Sequence, residues 1–480
     1  MDVRHLALSS LLLGFRGPTP PRWLLGAIAD GLGGVVLFGS NLGDGRNVAR
    51  LTAQLRGAAG RDIVIALDEE GGDVTRLDTV RGSASPGAAA LGHLDDVTAT
   101  EDVHAAIAAR LVEAGVTLNL APVADVNVDP RNPVIGVRSF GADPARVARH
   151  VAAAVRGLQG QGVAACVKHF PGHGATIADS HHEVATLHRS ATELGAVELP
   201  PFTAGIAAGT RSVMTGHLLV PALDADNIAT VSRTITTTLL RAELGFAGTI
   251  VTDALEMRGL AGTLGMERGF VAALAAGADA IESGAQDYPD LVTAIPAAVQ
   301  RAVDEGALDL ERLREAATRT AELAVIRPAA STEGVAGGRL AEIAARCLEV
   351  VGELPALHRP LVVEARPPGG MASGELPWSL AEPLRERVPE ASAVQVHDAE
   401  QVSAALQDTS GRSVVAVVRD PVRHAWQQPL IGAADVVVDV GWPLSSSNDV
   451  PIVRTRGIAP DLLAAAAELL ANSDLTQRMV

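Results

Sequence analysis

Four of the 13 histidines in this sequence lie close together in the stretch KHFPGHGATIADSHH, at positions 168–182. The same stretch carries Lys168 and Asp179. Side chains of these types can coordinate a metal ion, bind a phosphate or transfer protons. The spacing of the residues decides among these three kinds of chemistry.

A metal site in this stretch would draw its ligands from three or four of the histidines together with Asp179. Pro171 and Gly172 lie between His169 and His173, and this excludes the helical i, i+4 spacing of the common two-histidine motif. A phosphate loop would need the order Gly-x4-Gly-Lys-Ser/Thr, which is absent. The spacing therefore disfavours both, and we expect no metal ion and no cofactor.

Proton transfer fits the stretch better. Asp179 precedes His181 by two positions, so a loop can bring its carboxylate to one imidazole N–H and fix the tautomer. An imidazole with a pKa near ~6.5 can donate a proton to a leaving group and later accept one from water. The alternative is a solvated loop whose histidines have no chemical role.

An acid/base pair needs a nucleophile, and Asp253 is a candidate because it directly follows the apolar run GTIVT. A carboxylate at the end of a rigid strand suits glycosyl transfer, in which it forms a covalent ester with the sugar. An aspartate in this place can also be the N-cap of a following helix. The spacing alone leaves both interpretations open.

Seven short apolar runs in the first 285 residues each follow a helical segment that ends in Gly and stop at a polar residue. Such runs without alternation predict strands of a parallel sheet buried on both faces. Repeated β-then-α units predict a TIM-type (β/α)8 barrel, with an open doubly wound sheet as the alternative. In a barrel, chemistry is assembled at the carboxyl ends of the strands. The residues predicted there are Asp68, Asp125, Lys168, His169, His217, Asp253 and Glu282.

The segment RPAASTEGVAGG has the composition of a linker, and apolar runs alternate with helical stretches again beyond it. We therefore predict a catalytic barrel over residues 1–326, a linker and connecting helix over 327–345, and a smaller C-terminal α/β domain over 346–480. For the N-terminal stretch LALSSLLLGF we expect a first helix that closes the bottom of a domain.

The formal net charge of −17 argues against a nucleic-acid or anionic-membrane partner, because both require a basic surface. Two cysteines far apart in sequence are no disulfide framework, and no apolar run reaches the ~18–20 residues that span a bilayer. We expect a cytoplasmic, monomeric protein.

Several motifs carry a family resemblance. DEEGGDVTR at 68–76, NPVIGVRSFG at 132–141, KHFPGHG followed by DSH, and TDALEM at 252–257 occur in an order and spacing similar to glycoside hydrolase family 3. The combination of KHFPGHG with Asp-x-His most resembles the β-N-acetylglucosaminidase branch in its two-domain form. The match covers roughly residues 30 to 285.

The resemblance implies a retaining exo-β-N-acetylglucosaminidase that cleaves terminal β-linked N-acetylglucosamine from muropeptides or chitooligosaccharides. It implies that Asp253 is the nucleophile, His181 the general acid/base and Asp179 its dyad partner. A small carbohydrate is then the only expected partner. An N-acetylglucosaminide phosphorylase and a non-catalytic sugar-binding protein remain as alternatives. The residues implied to hold the sugar are Asp68, Arg76, Arg138, Lys168 and His169.

Overall fold

The structure is a computed structural model of the chain. It describes residues 2–43, 45, 47–177, 184–327, 335, 338–370, 372–443 and 450–472.

The chain groups into two compact units that are not contiguous in sequence. The first unit comprises residues 1–70, 97–135 and 139–335, and the second comprises residues 71–96, 136–138 and 336–480. Two short segments from the N-terminal half therefore group with the C-terminal region. The predicted boundaries at 326 and 346 stay a prediction.

The first unit contains ten of the strands, all in parallel pairs. In chain order they are β1 (Leu11–Leu13), β2 (Gly34–Val36), β3 (Val64–Leu67), β4 (Leu118–Asn119), β5 (Ala164–Phe170), β6 (Ala185–Thr186), β7 (Ser212–Thr215), β8 (Leu218–Leu219), β9 (Thr249–Thr252) and β10 (Ile281–Glu282).

Eight of these strands form one sheet with the order β10-β1-β2-β3-β4-β5-β7-β9, and β6 pairs with β8 in a separate small sheet. A bridge between Val251 in β9 and Ala280, just before β10, joins the two ends of the large sheet. The predicted barrel is confirmed, and the open doubly wound sheet is excluded for this unit.

Each barrel strand, or the position just before β10, contributes at least one residue to a shared apolar core. These residues are Leu12, Val36, Ala66, Leu118, Cys166, Met214, Val251 and Ala280. Because side chains alternate along a strand, the residues two positions further on form the next layer toward the carboxyl ends of the strands.

The helices of residues 1–327 follow the strands as the Gly-ended segments predict. They are α1 (Val3–Ser9), α2 (Arg22–Ala29), α3 (Gly39–Leu42), α4 (Val48–Ala59), α5 (Ala88–Leu94), α6 (Val97–Glu113), α7 (Pro144–Gly160), α8 (Ala191–Glu193), α9 (Leu199–Ala207), α10 (Arg258–Leu264), α11 (Met266–Ala276), α12 (Leu291–Asp304) and α13 (Leu310–Glu322). Leu194–Glu198 and Thr234–Glu243 are π-helical, and Gly136–Arg138 and Ala229–Val231 are 3-10 turns. α5 and Gly136–Arg138 lie in the second unit.

The N-terminal stretch departs from the prediction of a single helix. α1 ends at Ser9, and the following leucines form β1, which pairs with β2 and β10. Leucine favours helices, so local propensity could not identify this strand. Burial of all three leucines between neighbouring strands outweighs that propensity.

The second unit is built on a six-stranded sheet with the order β11-β16-β15-β14-β12-β13. Its strands are parallel except for β11, which runs antiparallel to β16. They are β11 (Glu349–Val351), β12 (Leu361–Ala365), β13 (Ser392–Val396), β14 (Val414–Val418), β15 (Val436–Asp439) and β16 (Ile452–Arg454).

Helices cover both faces of this sheet. Apolar residues of α15 and α18 pack in one buried cluster, and those of α16 and α17 pack in another. The helices are α14 (Arg339–Arg346), α15 (Ala381–Arg387), α16 (Ala399–Ala405), α17 (Gln428–Gly432) and α18 (Pro460–Ala471), with a 3-10 turn at Ala425–Gln427. The predicted second α/β domain is confirmed as a fold. No helix in the described ranges is long and apolar enough to cross a membrane.

Candidate active site

A charged layer lies at the carboxyl ends of the barrel strands. Asp68, Lys168, Asp253 and Glu282 each follow by two positions a residue that points into the barrel core. Alternation along the strands therefore turns these four side chains toward the barrel axis. Burial raises the pKa of Cys166, directly below, to about 12; a hydrogen bond with Ser212 and the charge of Lys168 act in the opposite direction, and the charges of Glu282 and Asp68 raise it further.

Lys168 is the cation of this layer. Its Nζ lies 2.6 Å from Oδ1 of Asp68 and 2.8 Å from Oε1 of Glu70, and its side chain is only 2% exposed. A buried ammonium is tolerated when carboxylates compensate its charge. The structure thus brings together the predicted residues Asp68 and Lys168, and it adds Glu70, which the sequence analysis left without a role.

His169 is held by Asp125, a carboxylate that is completely buried. Nδ1 of His169 lies 2.7 Å from Oδ2 of Asp125, and the backbone N–H of His173 donates to Oδ1 over 2.7 Å. A carboxylate accepts hydrogen bonds only, so Nδ1 carries the proton and the ring orientation is fixed. Asp125 therefore orients His169 and anchors the first turn of the histidine-rich stretch.

His173 is buried within that turn. Its Nδ1 lies 2.5 Å from the Thr176 hydroxyl, and its carbonyl accepts from Nδ2 of Asn132 over 2.8 Å. Burial lowers the pKa of His173 to about 4, so the ring is neutral at physiological pH. With these contacts, His173 holds the conformation of the loop that follows β5.

Asp253 follows β9 directly and is half-buried. Its backbone N–H donates to the Thr215 carbonyl over 3.1 Å, and its Oδ1 accepts the Ala254 N–H over 2.8 Å. The next helix, α10, has Met257 as its N-cap, so Asp253 does not cap that helix. The capping alternative left open by the sequence is excluded.

His217 fixes the turn that follows Asp253. Its Nε2 donates to the Ala254 carbonyl over 2.9 Å, and its Nδ1 lies 2.8 Å from the Thr230 hydroxyl. The ring is fully buried. His217 therefore holds the backbone next to Asp253.

Glu282, at the end of β10, is 5% exposed. Burial raises the pKa of Glu282 well above its usual value, and the nearby negative charges of Asp253 and Asp68 raise it further. The sequence predicts Glu282 at a strand end but indicates no role for it. Glu282 lies two positions after Ala280, and side chains two positions apart on a strand share a face. This spacing was the signal that could have identified Glu282 as a member of the layer.

The charged layer and His169 do not account for four predicted site residues. Asp179 and His181 lie outside the described residues, so their predicted dyad remains a prediction. Arg76 and Arg138 are half-buried and belong to the second unit. Within the described ranges, no group of three or more His, Cys, Asp or Glu side chains is arranged to hold a metal ion.

A parallel barrel with catalytic-type carboxylates at the carboxyl ends of its strands defines a TIM-barrel enzyme site. Comparisons with known proteins narrow this class. The family model described as "Glycosyl hydrolase family 3 N terminal domain" matches residues 27–323. The chain belongs to glycosyl hydrolase family 3, and the resemblance stated from the motifs is confirmed.

Relatives and solved structures agree with this membership. A beta-hexosaminidase from Stenotrophomonas maltophilia (strain K279a) is 37% identical over 285 residues, which cover 58% of this chain and 83% of that enzyme. Beta-hexosaminidase A from Pseudoalteromonas piscicida is 36% identical over 250 residues, which cover 48% of this chain and 42% of that enzyme. The structure of a glycoside hydrolase family 3 beta-N-acetylglucosaminidase from Paenibacillus sp. str. FPU-7 has a TM-score of 0.88 and 29% identity, covering 98% of this chain and 97% of that one.

Proposed function

We propose that the protein is a retaining exo-β-N-acetylglucosaminidase. Its family membership makes it a glycoside hydrolase. The Paenibacillus structure, which is named as a beta-N-acetylglucosaminidase, matches 98% of this chain and so both units rather than the barrel alone. The observation that carries the proposal is the position of Asp253 at the end of β9, inside the layer formed with Asp68, Lys168 and Glu282.

The proposed reaction has two steps. In the first, a carboxylate oxygen of Asp253 forms a bond to the anomeric carbon while the glycosidic C–O bond breaks, and protonated His181 gives its proton to the leaving oxygen. In the second, neutral His181 takes a proton from water, the water oxygen attacks the anomeric carbon, and the ester to Asp253 breaks. Asp179 is proposed to orient His181 and to favour its protonated form.

The sugar-binding part of the proposal rests on Asp68, Lys168 and His169. For Arg76 and Arg138 a sugar-binding role is implied by the family motifs alone. Asp68 offers carboxylate oxygens that accept from sugar hydroxyls, and its ion pair with Lys168 holds the carboxylate in one orientation. Because Nδ1 of His169 donates its hydrogen bond to Asp125, Nε2 is the ring nitrogen that faces away from that carboxylate.

The test of the nucleophile is the variant Asp253→Ala. We expect a loss of at least about 1,000-fold in kcat on an aryl β-N-acetylglucosaminide, because the covalent step is removed. A fluorinated sugar that forms a slowly hydrolysed ester should label Asp253 in the wild-type protein, as read by peptide mass spectrometry. Asp226→Asn, an exposed aspartate of the same unit, is the control and should retain wild-type rates. A label on any other residue would contradict the assignment.

Phosphorolysis is the second candidate, because a neutral imidazole does not repel phosphate as a carboxylate would. The described layer disfavours it, since the carboxylates of Asp68 and Glu70 already compensate the charge of Lys168, and Asp253 adds a further negative charge. We therefore propose water as the acceptor. Incubation of chitobiose and of a muropeptide with and without phosphate should give free N-acetylglucosamine in both buffers. Sugar 1-phosphate as the main product would favour the phosphorylase instead.

A further inference from the structure

Asp253 and Glu282 are neighbours on adjacent strands. Val251 and Ala280 form a parallel bridge. Asp253 follows Val251 by two positions, and Glu282 follows Ala280 by two positions. Side chains two positions beyond a bridged pair lie level with each other on the same face. The Leu255 N–H donates to the Glu282 carbonyl over 2.9 Å and keeps the two chain segments together.

The two carboxyl groups have different surroundings. Asp253 is half-buried, so it keeps some contact with solvent, and its Oδ1 accepts the backbone N–H of Ala254. Glu282 is 5% exposed, and its Oε2 is buried without a hydrogen-bond partner among the described residues. An ionised carboxylate in that place would lose its hydration without replacement.

The charged groups around Glu282 are mostly acidic. Asp253 and Glu256 follow β9, and Asp68 follows β3 across the barrel. β1, the other neighbouring strand, places Leu12 opposite Glu282. Lys168 is the nearby cation, and it is bonded to Asp68 and Glu70. Below the layer, the Cys166 thiol is neutral at physiological pH.

Two adjacent carboxyl groups in a water-poor site do not both ionise at neutral pH, and one proton stays in the pair. The proton resides on the group that is harder to solvate, which here is Glu282. Burial and the charges of Asp253 and Asp68 keep the pKa of Glu282 well above its usual value, consistent with that assignment.

We propose that Glu282 is a positioning residue of the active site, a neutral carboxylic acid beside Asp253 that keeps the single negative charge of the pair on the nucleophile. This inference rests on the proposed function for its catalytic consequence. The protonation of Glu282 is a property of the folded chain and does not depend on the proposed reaction. The two parts are therefore tested by separate measurements.

The catalytic part is tested by comparing Glu282→Ala with Glu282→Gln. The substrate is an N-acetylglucosaminide with a good leaving group, so that the first step does not depend on an acid. We expect Glu282→Ala to lower kcat/KM by about 100-fold, and Glu282→Gln, which is neutral and of similar shape, to restore it to within about ten-fold of wild type. A larger loss in Glu282→Gln than in Glu282→Ala would overturn the proposal, because it would show that the ionised carboxylate is required.

The pH profile separates a charge effect from a packing effect. In the wild-type protein, loss of the Glu282 proton at alkaline pH adds a second negative charge beside Asp253 and lowers kcat/KM. Glu282→Gln has no such proton, so its alkaline limb should shift upward by about one pH unit or more. An unchanged alkaline limb would contradict the proposed role.

The protonation part is measured without activity, from Tm at several pH values. Because folded Glu282 retains a proton that the unfolded chain releases above about pH 4.5, this group loses stabilising effect as the pH rises. The Tm of Glu282→Gln relative to wild type should therefore increase from pH 5 to pH 8. Glu243→Gln, at an exposed position of the same unit, should show no such trend.

The outcomes distinguish the two proposals. If Asp253→Ala remains active, the proposed mechanism is wrong, and the Tm series still reports the state of Glu282. If Asp253→Ala is inactive and the Tm difference of Glu282→Gln does not change with pH, the mechanism stands and the inference about Glu282 is overturned.

Discussion

Asp125 shows how a residue that need not contact substrate can determine the site. Its two oxygens bind the His169 ring and the His173 backbone, so one carboxylate sets the orientation of a predicted sugar ligand and the first turn of the histidine-rich stretch. The sequence placed Asp125 at a strand end. Its partners could not be inferred, because they lie more than 40 positions further along the chain.

At the residue scale we predict that Asp125→Asn lowers kcat/KM by about 10- to 100-fold, as loss of an orienting carboxylate commonly does. An amide in this place must direct its NH2 toward either the His169 Nδ1–H or the His173 N–H, and both are donors. Steady-state kinetics measure the effect. Asp129→Asn, which changes a carboxylate that pairs with Arg131 at the surface, is the matched control. Equal kinetics of the two variants would contradict the orienting role.

At the scale of elements, the π-helix Leu194–Glu198 packs against the Pro-Gly turn of the histidine-rich stretch. A Cβ at Gly172, whose φ is +128°, would lie 2.6 Å from Oε2 of Glu198, so glycine permits this approach. Glu198 is fully buried, and neither of its carboxyl oxygens has a hydrogen-bond partner among the described residues. Burial, together with the charge of Asp125, raises its pKa to about 8.

The pKa of Glu198 leads to a prediction about stability. Below about pH 4.5 the group is protonated in both the folded and the unfolded chain, and its contribution is complete. As the pH rises toward 8, the unfolded chain releases the proton, the folded chain retains it, and the contribution is lost. Glu198→Gln should therefore gain free energy of unfolding relative to wild type, of order 3 kcal/mol at pH 8 and little at pH 4.5.

Denaturant unfolding at the two pH values measures this gain. Glu243→Gln, an exposed glutamate in the other π-helix, is the control and should show no pH-dependent difference. A gain for Glu198→Gln that is equal at both pH values would mean that the folded chain does not hold the Glu198 proton.

At the scale of the whole molecule, the second unit includes residues 71–96, which lie far from its other residues in sequence. Asp73, 4% exposed, pairs with Arg419 over 2.7 Å and accepts the Ile458 N–H over 3.1 Å. Asp96 pairs with Arg346 over 2.8 Å. A chain that ends after the barrel would lose these partners.

We therefore predict that a fragment of residues 1–327 is less stable than a fragment of residues 1–472. Thermal unfolding should show a lower midpoint temperature for the shorter fragment. The shorter fragment should also bind more of a dye that is specific for exposed apolar surface. Equal midpoints would show that residues 71–96 do not depend on the C-terminal region.

The sequence by itself determined the strands, the helices between them and the charged residue types at the strand ends. These features can be read from short stretches of sequence. A strand that is buried on both faces appears as a continuous apolar run, whatever its neighbours in the sheet are. The family motifs also lie in short local stretches, and they were sufficient to identify the family. The leucines of β1 were missed, as were the short strands β6, β8, β11 and β16, because runs of two or three residues are too short for periodicity to identify a strand.

Only the tertiary structure decided which charges meet. Closure of the barrel places Asp253 beside Glu282, whereas the pairing of β3, β4 and β5 brings Lys168 to Asp68 and Glu70, and His169 to Asp125. Ion pairing and protonation depend on distance and burial, and residues about 100 positions apart acquire both only when the strands assemble into the sheet. The sequence therefore predicts the members of the charged layer, whereas their pairing and protonation follow from the closed barrel.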